Sequence, residues 1–499
     1  MQTFKRILLI FPLLFLAVAF GGLLARPSDF VFPYSFWEEA GKTLKRFGEV
    51  WIFLGLFLIF LRKKAPVQNF FQSLARIDRT RFLLVILPLA LVLRVIWCFL
   101  TNYVPSGDAS WFMNTAWGIY LGKGVSIDGV PTAAASPGYP YFLSFLYRFV
   151  GRNLKAIQII QSFMDVATLF FVFLFAEITL GKVVAYLTTF YLAFSINQIL
   201  IAPLIINEHL YLLLVFPALY LLARELEKPS WVKLLSAAVL IGLSDVTRGI
   251  LILFPPTLFF LYLFSGRGWK QSFLKSLAVT LVSVAVILPW TYRNYKVMGY
   301  PVPVCTSAGF GFYTMNSPIA DPYVTQLVEL KVVHPEYRQF HPNDEVARYI
   351  AGSRYAKEWI LSDPWRFTRL GAGKLISLFG IRSYWTLYDN LLKYGESRKG
   401  KIMEKIFKKP MIYGYILHFS LFIVGCFILL SRYGWNNFDA KKMLILLIIY
   451  FSVGIHFLYC GEKRYRLPIE PFIYMTSAFT LLYLVRKDLL SDGVSQTID

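Results

Sequence analysis

Asp108, in the stretch VPSGDASWF (104–112), is the first acidic residue after a long apolar run. Glu208 stands in IINEHLY, Arg248 in DVTRGI and Arg293 in TYRNYK, while Lys463, Arg464 and Arg466 crowd into GEKRYRLP. A carboxylate can accept the proton of an attacking hydroxyl. Guanidinium groups suit phosphate because their planar fork donates paired hydrogen bonds. One carboxylate with several cations therefore fits a reaction in which a phosphate departs while a hydroxyl attacks. Each residue also has a plainer reading. Asp108 can be a solvated loop carboxylate, and Glu208 a helix-opening acid favoured by the helix dipole. Arg248 can pair with Asp245, and Arg293 can anchor at an interface. Asp165, in QSFMDVATLF, lies inside an apolar run, where an ionisable group is either functional or a hydrogen bonder between helices. His209, His418 and His456 are too scattered to argue for a metal. The cysteines, Cys98, Cys305, Cys426 and Cys460, have no zinc-site or disulfide spacing.

These residues must be positioned by elements that live in lipid. Of the 499 residues 57% are hydrophobic and only 16% charged, too little charged surface for a soluble chain of this length. The apolar runs are continuous and rich in Leu and Phe rather than alternating, which predicts helices and not a barrel. They fall near 7–24, 50–61, 83–100, 156–176, 183–203, 209–223, 231–247, 250–265, 272–290, 411–430, 443–459 and 468–485, giving an all-α integral membrane protein of about twelve spans. The first run also has the outline of a signal peptide, with Lys5 and Arg6 before it and Ala25 at its end; its length favours an uncleaved helix. The 51 Lys+Arg against 29 Asp+Glu are read as cytoplasmic loops and lipid contacts, not as nucleic-acid binding, since no binding motif is present.

The segment RKKAPVQNFFQSLARIDRTR (62–81) is strongly basic and is placed inside by the positive-inside rule. Lys182, residues 223–233, 265–270, 439–442, Arg486 and Lys487 follow it to the same side. Two long segments, about 101–155 and 291–410, then lie outside, with Asp108, Glu208, Arg248, Arg293 and the 461–468 stretch at outer helix ends. Cations clustered on that side break the positive-inside bias and call for an anionic ligand. PGYPYFLSFLYRF (137–149) and the amphipathic GAGKLISLFGIRSYW (371–385) are expected to lie along the membrane interface. The predicted organisation is an added hairpin over 1–64, a catalytic core over 65–290 with an outer loop 101–155, an outer segment 291–410, C-terminal helices over 411–485 and a tail over 486–499. There is no phosphate-loop motif, no DxD pair and no dinucleotide fingerprint, so a phosphate donor is expected to be a lipid phosphate.

The order of GDASWF, SPGYPYFLSFLYRFVG, INEHLYLL, TRGILILFPP, WTYRNYKVMGYPVPVCTSAGFGFYTMNSP and EKRYRLPIEPFI resembles membrane glycosyltransferases of the GT-C fold, over about residues 83–485. Bacterial relatives of protein O-mannosyltransferases and lipid A aminoarabinose transferases are the most similar in pattern. The resemblance implies a GT-C-like bundle that moves a sugar from a polyprenyl phosphate to an acceptor hydroxyl outside the plasma membrane, usually with inversion. No cofactor or metal is implied beyond the lipid-linked donor, and the acceptor can be glycan, lipid or protein. Asp108 matches the first-loop acid and would be the catalytic base. Glu208, Arg248, Arg293, Lys463, Arg464, Tyr465 and Arg466 would bind substrate. Many members carry a second acid after the first; here Ala109 stands in its place. A transporter or flippase of lipid-linked glycans, and a polymerase or ligase of O-antigen type, are the competing readings. Two related halves and midplane-broken helices, the marks of many transporters, are absent from the sequence.

Overall fold

The computed structural model describes residues 45–46, 48–53, 55, 65–127, 129–318, 320, 344–380 and 398–490. The expected run at 7–24 and most of that at 50–61 lie outside them, as do residues 491–499. In chain order the helices are α1 (Ala65–Arg76), α2 (Arg79–Leu100), α3 (Asp108–Tyr120), α4 (Gly138–Val150), α5 (Leu154–Leu180), α6 (Lys182–Phe194), α7 (Ile196–Ile201), α8 (Glu208–Glu227) and α9 (Trp231–Thr247). They continue with α10 (Phe254–Phe264), α11 (Trp269–Met298), α12 (Ser307–Thr314), α13 (Glu345–Ser362), α14 (Pro364–Phe379), α15 (Arg398–Leu429), α16 (Ala440–Leu458) and α17 (Glu470–Val485). A two-stranded antiparallel hairpin, Ser126–Ile127 with Val130–Pro131, interrupts the helices between α3 and α4.

Six helices among the described residues are long and apolar enough to cross a membrane: Arg79–Leu100, Leu154–Leu180, Glu208–Glu227, Trp269–Met298, Lys408–Gly434 and Ala440–Leu458. Three apolar helices are shorter, Lys182–Phe194, Phe254–Phe264 and Glu470–Val485. The chain is therefore a multi-pass membrane protein, although twelve full-length spans are not what the described residues contain. Local chemistry accounts for the difference. The run expected over 183–203 divides where the backbone of Ser195 turns extended. The run over 250–265 becomes helical only at Phe254, where Pro255 and Pro256 occupy first-turn positions that need no N–H partner.

α5 packs against α2, α6 and α8; α8 packs on α9, and α9 on α11. α17 runs between α6 and α15 and is buried along nearly its whole length, from Glu470 through Thr480. A helix apolar on all sides is fully wrapped by its neighbours, and this one anchors the segment before it, which carries Arg464.

The two ends of α8 have different chemistry. At its C-terminal end Glu225 is wholly buried. It accepts from Arg267 at 2.8 Å, from the Tyr262 hydroxyl at 2.8 Å and from Lys275. The same end gathers Lys182, bonded to the Ala75 carbonyl, Arg79 near Glu177, and Lys441, paired with Glu227. The N-terminal end, roughly 25 Å away at 1.5 Å per residue, carries Glu208. Removing the carboxylate of Glu225 strands the buried Lys275 and takes one partner from the partly buried Arg267. Glu225→Ala should lower stability by about 3–5 kcal/mol, seen as earlier thermal unfolding of the detergent-solubilised chain; a variant that melts with the wild type would refute this account of the tie.

Candidate functional site

The site begins at two helix N-termini. Gly107 has φ +54°, a left-handed backbone that glycine adopts without steric cost, and it turns the chain so that α3 opens on Asp108. α8 likewise opens on an acid, Glu208, there behind Asn207 with ordinary right-handed backbone. An acid at the first helical position faces the positive end of the helix dipole. The two acids differ in setting. The Glu208 side chain is 1% exposed and that of Asp108 is 68% exposed.

Arg464 joins them. Its Nε and Nη2 donate to the two carboxylate oxygens of Glu208 at 2.7 and 3.0 Å, and its Nη1 donates to Asp108 Oδ2 at 2.7 Å. Arg248, at the C-terminal cap of α9, donates to Glu208 Oε1, the oxygen that also accepts from Arg464 Nε, and reaches Asn207 Oδ1 at 3.4 Å. Its guanidinium lies 4.7 Å from the centre of the Tyr465 ring, which in turn stacks on His456 at 5.7 Å. Burial alone would lower the pKa of Arg464, but the Glu208 and Asp108 carboxylates more than offset it and raise it. The result is a quartet of two carboxylates and two guanidiniums, one of whose acids is open to solvent.

Neighbouring helices hold this quartet from the side and from below. Gly138 lets α4 press on the end of α9, since a Cβ there would come within 2.7–2.8 Å of Thr247. The Tyr139 hydroxyl donates to Gln161 Oε1, and Tyr147 donates to the Met113 carbonyl at 3.2 Å, locking α4 to α3. Tyr139 also meets the Phe112 ring edge-on at 5.1 Å. Ala109, next to the exposed acid, is buried in the same cluster as Phe112 and Tyr139. The residue after Asp108 thus faces the core, and no second acid points to the site there.

Below Glu208, His209 Nδ1 lies 2.6 Å from Asp165 Oδ1 and its Nε2 lies 3.2 Å from the Leu204 carbonyl. Gln161 donates to that same carbonyl at 2.9 Å. Asp165 is therefore a hydrogen bonder between α5 and α8, and it fixes the residue after Glu208. Arg94, within 3.9 Å of Asp165, is spent on the carbonyls of Ala90, Leu192 and Ala193. Sequence reasoning missed His209 and Arg94. Their signal was present as basic groups in apolar runs, each in want of an acid, which Asp165 supplies to both.

The structure brings Asp108, Glu208, Arg248, Arg464 and Tyr465 together, and it places two expected substrate residues elsewhere. Arg293 donates to the carbonyls of Thr132 and Val125 at 2.9 and 2.7 Å and lies over Trp290. It pins the short hairpin of the first long loop. Glu345 fastens the same loop to the second segment, accepting from Thr132 Oγ1, Ala133 N and Thr306 Oγ1 at 2.8, 2.9 and 3.1 Å. Arg466 is 1% exposed and binds Glu470 and the carbonyl of Gly380, at 3.4 and 2.8 Å. Both arginines take carbonyl partners that the fold supplies, which spacing in the sequence could not reveal. Lys463 opens the same turn, and its side chain lies outside the described residues. The expected pairing of Arg248 with Asp245 is not made; Asp245 accepts instead from the Leu251 N–H at 2.8 Å.

The helix expected within 371–385 forms as α14, but Arg369–Leu375 and Leu378 are buried against the protein rather than spread on an interface; residues 381–385 lie outside the described residues. α4 does show outward aromatics, with Phe145 and Phe149 exposed. Among the described residues no group of three or more His, Cys, Asp or Glu could hold a metal ion.

Residues 134–292 match the family model described as dolichyl-phosphate-mannose-protein mannosyltransferase. The matched third of the chain contains Glu208, Arg248 and the α4–α9 contact. It bears out the resemblance drawn from the motifs to membrane glycosyltransferases of the GT-C type. No curated protein is matched. Among solved structures, the chain is similar to the oligosaccharyltransferase of Archaeoglobus fulgidus in its apo form, at 13% identity and a TM-score of 0.49, covering 81% of this chain and 50% of that one. It is also similar to AglB from the same organism in complex with an inhibitory peptide and a dolichol-phosphate, at 12% identity and a TM-score of 0.45, covering 84% and 53%. The chain thus spans about half the length of those enzymes.

One residue beside the site gives a pH signature. Lys374, on α14, is 1% exposed, and burial brings its pKa down to about 7. In the unfolded chain a lysine titrates near 10.4. Between these values the unfolded state binds the extra proton, so this residue's contribution makes the fold more stable as pH rises from about 7 to about 10, with no change below. Unfolding of wild type and Lys374→Met across that range should show wild type gaining on the variant with rising pH. Parallel pH curves would contradict the burial argument.

Proposed function

We propose that the chain is a membrane glycosyltransferase that moves a sugar from a polyprenyl-phosphate donor to an acceptor hydroxyl on the extracytoplasmic side, in one inverting displacement. The observation that carries this reading is the unequal sharing of Arg464, held from a buried side by Glu208 and from an exposed side by Asp108. The sequence of residues 134–292 supports the reaction class. The orientation is supported by the basic residues at the Glu225 end, which the positive-inside rule assigns to the cytoplasm.

The chemistry follows from what each group can exchange. Arg464 keeps its two bonds to Glu208, which is buried from solvent. Its third bond, to the exposed Asp108, is the one an incoming phosphate can replace. A phosphate oxygen taken up by Arg464, with Arg248 beside it, neutralises the donor and frees the Asp108 carboxylate. Asp108 then accepts the proton of the acceptor hydroxyl as its oxygen attacks the sugar's anomeric carbon. The bond from that carbon to the phosphate oxygen breaks, and the electron pair leaves with the polyprenyl phosphate, whose growing charge the two arginines stabilise. Tyr465 and His456 hold Arg248 from behind.

Asp108→Asn tests both halves of this account. General-base assistance is worth about 10²–10⁴ in rate, so the purified variant should lose transfer from labelled polyprenyl-phosphate sugar to a membrane extract by at least about a hundredfold. It should bind polyprenyl monophosphate at least as tightly as wild type, because asparagine competes poorly for Arg464. Near-wild-type transfer would remove Asp108 from the mechanism, and a wild type that moves no sugar at all would favour transport.

A further inference from the structure

The segment that carries Arg464 is fastened to one helix at both of its ends. At its start, Lys374 of α14 donates to the Leu458 carbonyl at 3.2 Å and reaches that of Phe457 at 3.5 Å. Asn316 completes this end: its Oδ1 accepts from Lys374 at 2.8 Å, and its Nδ2 donates to the Leu458 carbonyl at 2.8 Å. At the other end the polarity is reversed. Arg466 of the segment donates to the carbonyls of Gly380 and Leu378, at the C-terminus of α14, at 2.8 and 3.5 Å. Tyr415 lies under its guanidinium at 4.0 Å and donates to the Phe379 carbonyl at 3.0 Å. Between the two fastenings Gly461 lies against the Lys374 backbone with no room for a Cβ.

Both side chains are buried, and the partners of Lys374 are neutral oxygens. A buried amine without a carboxylate is a poor way to gain stability, since an apolar side chain of similar size costs less desolvation. What an N–H donor with carbonyl partners does provide is a fixed direction, here for the seven residues 459–465. We propose that α14 is a positioning element of the site, in which Lys374 and Arg466 clasp this strap and aim Arg464 and Tyr465 at Glu208 and Arg248. The second long loop segment thereby sets the grip on the donor phosphate. This inference rests on the reading of Arg464 as a phosphate ligand. Neither Lys374 nor Arg466 touches the reacting groups; both act through Arg464.

The test uses the full chain in nanodiscs, with polyprenyl monophosphate as ligand and polyprenol as its uncharged control. Lys374→Met should weaken polyprenyl monophosphate binding by about tenfold, the scale of coupling through a packed network, and leave polyprenol binding unchanged. Tyr415→Phe, which removes one hydroxyl and keeps the ring under Arg466, gives a milder variant and should weaken it in the same direction. In an Arg464→Ala background Lys374→Met should add no further loss, because its route is gone. Losses that multiply in the double variant, or wild-type binding by both single variants, would overturn the proposal. Hydrogen exchange of residues 459–466 gives a reading free of ligand. Lys374→Met should speed it while residues 208–227 stay protected, and unchanged exchange would refute the clasp. A wild type that does not prefer the monophosphate to polyprenol would instead bring down the donor assignment, whatever the exchange shows.

Discussion

The site depends on one buried carboxylate satisfied by two arginines. Glu208 has almost no contact with solvent, and its oxygens are taken by Arg464 and Arg248. Those arginines come from segments 256 and 40 residues away in the chain. A buried ion pair of this kind repays its desolvation only when the geometry is good and the remaining hydrogen bonds are met. The surroundings of Glu208 can be understood as the means of meeting that condition. The Asp165–His209 bond holds the residue after it, the Gly138 contact brings α4 onto the end of α9, and the clasp on α14 fixes Arg464. Without Glu208 the two cations would have no reason to converge.

The same local device recurs. Asp108, Glu208, Glu345 and Glu470 are each the first residue of a helix. In each case the helix end supplies favourable field for the negative charge, and the carboxylate then receives a donor from a distant segment. Glu345 ties the two long loops, and Glu470 ties Gln198 and Arg466. Glu208 gathers the arginines. Only Asp108 among the four is mostly exposed. A motif used three times for construction is left open once, and that is where chemistry can be placed.

The sequence carried the class of the molecule and several of the residues that meet around Glu208. Composition and continuous apolar runs were enough for a helical membrane protein, and charge counting put Asp108, Glu208, Arg248 and Arg464 at one end, where they meet. Among the described residues fewer runs form full-length spans than hydropathy suggests, because a proline pair and a single extended residue shorten runs that look continuous. The partners of Arg293 and Arg466 were hidden for a different reason. They are mainly backbone carbonyls, and a carbonyl is present at every residue, so no pattern of residue types marks it. Lys374 was hidden in the same way. An acid beside an arginine leaves a trace in sequence; an amine beside a peptide oxygen does not.

In the proposed mechanism, the difference in exposure between Glu208 and Asp108 assigns each acid its task. A general base must lose its partner and meet the acceptor during the reaction. Glu208, itself buried from solvent, would have to abandon two arginines, and the cost of stranding those charges is several kcal/mol. Asp108 leaves one bond, and both it and Arg464 find new partners, the hydroxyl and the phosphate. Conversely Asp108 could not hold Arg464 in place alone, since a mostly exposed ion pair contributes at most about 1 kcal/mol. The buried acid gives Arg464 its orientation, and the exposed acid keeps its remaining donor occupied until an anion arrives. On that reading a glutamate and an aspartate at two helix ends divide holding from reacting, in keeping with their unequal burial.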